Sequence, residues 1–599
     1  MNLWKKLISL LLCLLLLSGC AAANTPGDGI VDIGIDPLPC SEEALYNQLF
    51  DLNNKITVDI DMPETELQKL QDDYEHYRSF GSKSPIYRMA NLTVTIQTAA
   101  GTTTYRIDEV GVRMKGNTSR TDFYNTEDGI YKYIHLKLDF QETFDDEDYY
   151  GADAKVWDDD EQRDARKDRT FATLENLELR WNKCYDQTYM KETYAYTLYR
   201  SEGVMAPMTN LCSLDWSDTH MGIYCMVEPV DKLFIEKRLP EEEQGGDLYK
   251  CGWPANFTYP NSIGIEDEDK GEFYTYDLKS NKKTSDHSAL KNLIIALNAG
   301  NMTKEGLAEL LEMDNFLSYA AVSYFLGNPD DLRNNYNNFY IYFKPDTGKA
   351  LIIPYDYDRC LGVTYEWDPT GNGVTQDNPF SEDVAAADNN RGNTQQNPMF
   401  LYSVVRGGFY VREFADVLRR VEQNPLLDSN SFESYVNRAS ALYAGEEVPG
   451  KTLRNAEGRQ FRFSLEDGIG GNLSFENYIT KKMDYYHSCL SDLDEYLDYV
   501  QPVKTVYYLR GQFNNWADDP AYGMTVENGM ASITLTFTEN AEFKVYNQVQ
   551  DLWYGADEMS EDTTVAYSAM GQHHNIYLQP GTYKISFDLS TQLVIITEG

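Results

Sequence analysis

Between Asn328 and Phe343 the chain reads NPDDLRNNYNNFYIYF: an acid pair, Asp330 and Asp331, and four asparagines, Asn334, Asn335, Asn337 and Asn338, ahead of an aromatic run. Aspartate and asparagine compete with the backbone for hydrogen bonds and are poor helix and strand formers. Such density marks either a set of turns or a site. Further on, ALIIPYDYDRCLG carries a second acid pair, Asp356 and Asp358. The two strand-like runs flank Pro345-Asp346-Thr347-Gly348, a turn sequence, and a hairpin brings its far ends together. Asp330 and Asn338 before the first strand then meet Asp356 and Asp358 past the second. Carboxylates and an amide oxygen converging in this way suit a hard divalent cation, Mg²⁺ or Mn²⁺.

Phosphoryl transfer calls for the same arrangement, because the protein mainly positions nucleophile and metal. In protein kinases an aspartate orients the substrate hydroxyl, a later asparagine takes a metal, and an aspartate beyond a hairpin bridges metal to phosphates. Asp330, Asn338 and Asp356 stand in that order, although the His-Arg-Asp, Asp-Phe-Gly and G-x-G-x-x-G words are absent.

The elements around this stretch follow from periodicity. Alternating runs predict strands at KITVDIDM, ANLTVTIQT, TTTYRIDEVGVRMKG and YKYIHLKLDF, and a hairpin in CSLDWSDTHMGIYCMVEPV around Asp218 to His220. Helical patterns cover PETELQKLQDDYEHYR, QTYMKETYAYTLYRSEG and most of the segments from Ser288 to Gly327 and from Gly407 to Val500. A sheet-rich front and a helix-rich back predict a two-lobed α+β unit. Three polar stretches read as surface insertions: the acidic run 139–168, then 260–287, then 366–397.

The ends and the composition bound the setting. Lys5 and Lys6, the apolar run Leu7 to Leu17 and Leu-Ser-Gly-Cys20 before small residues form a secretion signal too short to span a bilayer. Cys20 stands where a bacterial lipoprotein signal places its lipid-modified cysteine, so the expectation is a chain held outside the membrane by acyl chains, with 21–52 as a tether. A net charge of −43 with 52 basic residues argues against nucleic acid. Seven further cysteines are scattered with no C-x-x-C pair, so neither a zinc site nor a disulfide pattern is readable, and an odd number leaves at least one thiol.

Five ordered segments resemble the spore-coat protein H (CotH) kinase family over about residues 53–500: GVRMKGNTSR, YIHLKLDF, MGIYCMVEPVDKLFIEKR, GDLYKC, and NPDDLRNNYNNFYIY followed by IIPYDYD. The resemblance implies an atypical protein-kinase fold, secreted or surface-held, that transfers the γ-phosphate of ATP to Ser or Thr of proteins. It also implies Asp330 as the active-site aspartate, with Asn338 as the asparagine before the aromatic strand. Asp356 and Asp358 match the metal-binding P-W-D-x-D pattern, with Tyr355 in place of the usual Trp. Lys137 resembles the family's strand lysine for the α- and β-phosphates, and Glu192 is its expected ion-pair partner. Arg113, Lys115, Gly116 and Asn117 are placed to lie over phosphates as a glycine-rich loop does; a plain Gly-Asn hairpin is the alternative. Glu228 reads either as a hinge group beneath adenine or as a plain strand-end acid.

Beyond a break at Gln501-Pro502, residues 503–599 show short alternating strands, as in a β-sandwich. LRGQFNNWADDP and QDLWYG carry Trp516 and Trp553, and the G-x-F-N-x-W arrangement resembles starch- and glycogen-binding modules. The alternatives are exposed rings stacking on sugar and rings buried in the sandwich. Two readings compete with the kinase: a polysaccharide-binding scaffold whose kinase-like fold does not turn over, and a glycosidase using two of the carboxylates, which leaves the asparagines unused.

Overall fold

The computed structural model describes residues 29–79, 81–116, 119–125, 130–258, 275–365, 367–368, 373–381, 397–447, 462–491, 493–498, 505–527, 529–548, 552–556, 566–568, 574–589 and 591–598. Cys20 and Asn117 lie outside them, as does most of 366–397.

The first sheet holds β1 (Gly29–Asp32), β2 (Lys55–Asp61), β3 (Arg88–Thr98), β4 (Gly101–Lys115), β5 (His135–Asp139), β6 (Asn176–Trp181), β7 (Thr209–Trp216) and β8 (Thr219–Val227). Their order is β1-β4-β3-β2-β7-β8-β6-β5, and β5 also pairs β4, so the sheet closes on itself. The alternation read from the sequence decides which face turns in. Ile56, Val58 and Ile60 of β2, Val112 and Met114 of β4, Leu136 and Leu138 of β5, and Leu177 and Leu179 of β6 are buried in one core.

The other face of β4, β5 and β6 is polar. Register partners Lys115 and His135, Arg113 and Lys137, and Lys137 and Glu178 share it, and Arg180 follows Glu178 two residues on. Residues two apart in a strand point the same way, so this face gathers charge for whatever packs against it. Helix α1 (Glu42–Leu49) and helix α2 (Glu64–Ser79) join the core through Leu45, Leu49, Leu67 and Leu70. Helix α3 (Lys191–Ser201), buried along most of its length, carries Glu192.

The second sheet comprises β9 (Leu248–Cys251), β10 (Tyr276–Leu278), β11 (Phe339–Phe343) and β12 (Ala350–Pro354), in the order β10-β9-β11-β12. Helix α4 (Met313–Leu326) is apolar all round and correspondingly buried from Phe316 to its end. It stops at Gly327, whose φ of 56° is left-handed and where a Cβ would meet the Tyr478 hydroxyl at 2.0 Å. Further helices at Val411–Glu422, Ser429–Tyr443 and Phe475–Leu490 complete the helical part.

A separate core is built by the C-terminal strands, from Tyr507–Gly511 to Leu593–Glu598. Strand Gly523–Glu527 pairs with Tyr507–Gly511 through its first residues and with Met530–Phe537 through its last, linking two antiparallel layers. The fold is thus α+β followed by an all-β unit.

Several expectations need correction. Residues 29–52 are not a tether: Gly29–Asp32 pairs in parallel with β4, and Leu45 and Leu49 are fully buried. The stretch 260–287 is not wholly a surface insertion, because Tyr276–Leu278 adds a strand to the second sheet. The acidic run is exposed over 146–148 and 151–153, as a surface insertion is, and is tied down near its end, where Arg166 bonds the Glu109 carbonyl. All seven cysteines among the described residues are free thiols. No helix among those residues is long and apolar enough to cross a membrane.

Candidate active site

The hairpin of β11 and β12 runs in register from Phe343 opposite Ala350 to Phe339 opposite Pro354. Asn338 therefore directly precedes one strand and Tyr355 and Asp356 directly follow the other, at the same open end. Asn328 closes that end: its Nδ2 donates to the Asp356 carbonyl at 3.2 Å, and its Oδ1 accepts from the Asp330 amide at 3.0 Å. Two left-handed residues, Asn338 at φ 53° and Asp356 at φ 58°, sit on either side. Non-glycine residues held there store strain that clusters at functional sites.

The asparagines have separate tasks. Asn335 and Asn337 each donate Nδ2 to Asp330 Oδ1, at 2.7 and 2.8 Å, while Asn338 donates to the Asp330 carbonyl at 2.9 Å. One carboxylate oxygen is thus fixed by two amides, and the other makes no hydrogen bond among the described residues. Asn334 donates to the Asn328 carbonyl at 2.8 Å. Burial raises Asp330 to about 6; the two amide donors hold it down and the nearby negative Asp356 pushes it further up. Asp331 is architectural. It is fully buried, caps the turn at Leu332–Asn335 through the Asn334 amide, and accepts from Ser323 Oγ at 2.5 Å and Tyr357 OH at 3.1 Å.

On the other side, Arg180 Nη1 donates to Asp356 Oδ1 at 2.9 Å and to Glu192 at 2.6 Å, and its Nη2 donates to Glu178 at 3.0 Å. Lys115 pairs with Glu178 and bonds the Tyr355 hydroxyl. Burial works against the charged form of Asp356, but Arg180, Lys115, His135 and Lys250 outweigh it, and the group stays below the ordinary carboxylate range. Asp358 is raised, first by burial and then by Asp356, and accepts from Cys184 Sγ at 3.2 Å.

As a test of metal fit, Asp356 keeps one oxygen outside its Arg180 contact, Asp358 keeps one outside its Cys184 contact, and Asn338 uses its nitrogen, not its oxygen, on Asp330. Oxygens of this hard type are those Mg²⁺ or Mn²⁺ takes, while among the described residues no three His, Cys, Asp or Glu side chains are grouped so as to hold a metal ion.

Three of the remaining predicted roles change. Glu192 pairs with Arg180, not Lys137, because Arg180 lies on β6 beside helix α3; the charge of Lys137 bears instead on Asp139 and Asp231. Glu228 is 1% exposed in its side chain, held by Arg238 and by the Met208 amide, and offers no carboxylate to an adenine. Arg113 is turned toward the Ser84 carbonyl at 3.1 Å and the Tyr87 ring. Gly116, at φ 97°, makes a turn that no Cβ would fit, since Ser119 Oγ lies 1.8 Å from the position it would take.

Sequence reasoning missed Arg180, Glu178 and Lys250. The signal was present in NLELRW, where two charges alternate with apolar residues in a strand otherwise bound for the core. Trp516 and Trp553 are both half-buried, their rings 6.2 Å apart, with Trp553 4.7 Å from Tyr546 and Arg510 lying over both of those rings.

The "CotH kinase protein" family matches residues 112–457, more than half of the chain. The chain belongs to the CotH kinase family. It is 24% identical over 179 residues to the inner spore coat protein H of Bacillus subtilis (strain 168), covering 30% of this chain and 48% of that one. The chain thus spans about half the length of that relative. Among solved structures it is similar to CtkA, a proinflammatory kinase of Helicobacter pylori, at 13% identity over 45% of this chain and 86% of the other, with a TM-score of 0.21. It is also similar to SusF from Bacteroides thetaiotaomicron, at 18% identity over 16% of this chain and 25% of the other, with a TM-score of 0.14.

Proposed function

We propose that this CotH-family chain is a protein kinase that transfers the γ-phosphate of ATP to serine or threonine of secreted or surface proteins, with Mg²⁺ or Mn²⁺. It would be held outside the bacterial membrane by a lipid on Cys20. The observation that carries the reading is the Asp330 carboxylate, fixed through one oxygen by Asn335 and Asn337 and lying within the field of Asp356 at the open end of one hairpin.

In this reading the free oxygen of Asp330 accepts the proton of the substrate hydroxyl as its oxygen attacks the γ-phosphorus. The bond from that phosphorus to the bridging oxygen of ADP breaks. A carboxyl group near 6 is ionised at neutral pH yet still basic enough to take the proton. Asp356, Asp358 and Asn338 would hold the divalent ion, which supplies charge neutralisation on the phosphates. Two half-buried tryptophans, Trp516 and Trp553, support a polysaccharide as partner of the last domain.

One observation favours a second reading, a scaffold without turnover: Arg180 already occupies an oxygen of Asp356. Incubating the mature chain with ATP and each metal, and reading intact mass, separates the two. A gain of one phosphate, absent in Asp330→Ala, is expected. No gain on the chain or on surface proteins with either metal would leave the scaffold.

A further inference from the structure

Lys115 and Arg180, cations that the first sheet presents to the site, already have carboxylate partners in Glu178, Glu192 and Asp356. A polyphosphate tail needs others. Lys250 on β9 makes no ion pair among the described residues; its ammonium rests 4.4 Å from the centre of the Tyr355 ring, and Glu178 and Asp356 act on it only through their fields. Lys250 is half-buried, and an ammonium partly withdrawn from water without an ion pair is suited to an anionic ligand.

Three more cations extend from it. Lys83 stands in the field of Lys250, Arg120, Lys279 and Asp277, and Asp277, the cross-strand partner of Lys250, is paired with Lys279. The segment carrying Lys83 is fixed on both sides, by Arg120 Nη1 on the Ser82 carbonyl at 3.0 Å and by Arg113 Nη1 on the Ser84 carbonyl at 3.1 Å. The Nε of Arg120 is buried with no hydrogen-bond partner among the described residues. In a chain of net charge −43, three lysines, Lys250, Lys83 and Lys279, gathered about Asp277 are not a sampling accident of a basic surface. Lys250 adjoins the candidate site through Tyr355, which directly precedes Asp356 and whose ring also carries the Lys115 ammonium at 4.9 Å and the Arg180 guanidinium at 4.6 Å.

We infer that Lys250, Lys83, Arg120 and Lys279 form the anchor for the polyphosphate tail of the nucleotide. The inference rests on the kinase reading. It moves the phosphate-binding cations from Lys137 on the first sheet to the second sheet and the 82–84 segment, and it makes Arg113 a positioning residue for that segment. Ammonium and guanidinium groups bind phosphate oxygens through charge-assisted hydrogen bonds.

Calorimetric titration of the full chain with inorganic tripolyphosphate, ADP and adenosine tests it, using wild type, Lys250→Gln and Lys83→Gln. Lys279→Gln, at a half-exposed position, serves as a variant whose folding is not at issue. Tripolyphosphate and ADP should bind at least about tenfold more weakly in Lys250→Gln and several-fold more weakly in the other two, with adenosine unchanged. Unchanged tripolyphosphate and ADP affinity in all three variants, against a wild type that binds both, overturns the anchor and leaves the kinase reading standing. A wild type that binds tripolyphosphate but no adenine nucleotide overturns the kinase reading instead.

Discussion

Asn328 and Asp356 lie on different sides of the β11–β12 hairpin and are joined by a hydrogen bond of 3.2 Å from side-chain amide to backbone carbonyl. The same amide side chain receives the Asp330 N–H at 3.0 Å, so one fully buried residue sets the spacing of both aspartates. Replacing it with alanine orphans a buried donor and a buried acceptor, costing about 2 kcal/mol. Asn328→Ala should lower phosphotransfer at least about tenfold, because reacting groups misplaced by an ångström lose that much, and lower the melting temperature as well. Full turnover in a folded variant would show that the link is dispensable.

The pH dependence of turnover follows from the amides on Asp330. Asn335 and Asn337 stabilise its charged form, and each lowers its pKa from the level that burial alone would set. As the base, Asp330 acts when ionised, so the acidic limb of the rate profile should lie near 6. In Asn337→Ala the carboxylate loses a donor, its pKa rises, and the limb moves to higher pH. A pH–rate profile of the variant checks this; a limb moving to lower pH would remove Asp330 from the role of base.

Arg180 bears on stability. It is buried and touches Glu178, Glu192 and Asp356; Arg180→Met leaves those carboxylates without their shared cation, and losses of about 3–5 kcal/mol accompany such breaks. Glu192 is raised to about 7, first by burial and against the pull of Arg180, so Glu192→Gln should cost far less. Denaturant unfolding of the two variants measures the order, and equal losses would contradict it.

Away from the site, Asp59 on β2 has a buried oxygen without a hydrogen-bond partner among the described residues, and Asp215, its parallel-strand partner, lies beside it. Burial, then Asp215, Asp61 and Asp218, raise it to about 6. The folded chain therefore binds this proton more tightly than the unfolded chain, and its contribution to stability is lost as pH rises from about 4 to about 6. Asp59→Asn should be more stable than wild type at pH 7 by about 1 kcal/mol, a figure reduced for its partial solvent screening, and equal to it below about pH 4. Melting curves across that range decide the sign.

Much of this was legible in the sequence. The strand alternation in KITVDIDM and the turn at Pro345–Gly348 predicted both the core face of β2 and the hairpin that brings Asp330 toward Asp356. The asparagine cluster was legible as a site, but not the division of labour in which Asn335 and Asn337 serve Asp330 while Asp331 caps a turn; that depends on rotamers set by packing. The partner of Glu192 was not readable, because Lys137 and Arg180 share one polar sheet face and only the placement of helix α3 chooses between them. The helix at Glu42–Leu49 was obscured by the Gly- and Pro-rich residues around it.

The central claim is that one hairpin assembles a metal–nucleotide cradle in which Asp356 binds and Asp330 reacts. Titrating Mn²⁺ into wild type, Asp356→Asn and Asp330→Asn with ATP present, and following bound Mn²⁺ by electron paramagnetic resonance, tests it most directly; chelation with EDTA should abolish phosphotransfer in parallel. The account predicts ATP-dependent Mn²⁺ binding in wild type, weakened at least about tenfold in Asp356→Asn and retained in Asp330→Asn despite lost turnover. Equal Mn²⁺ binding by wild type and Asp356→Asn would contradict it.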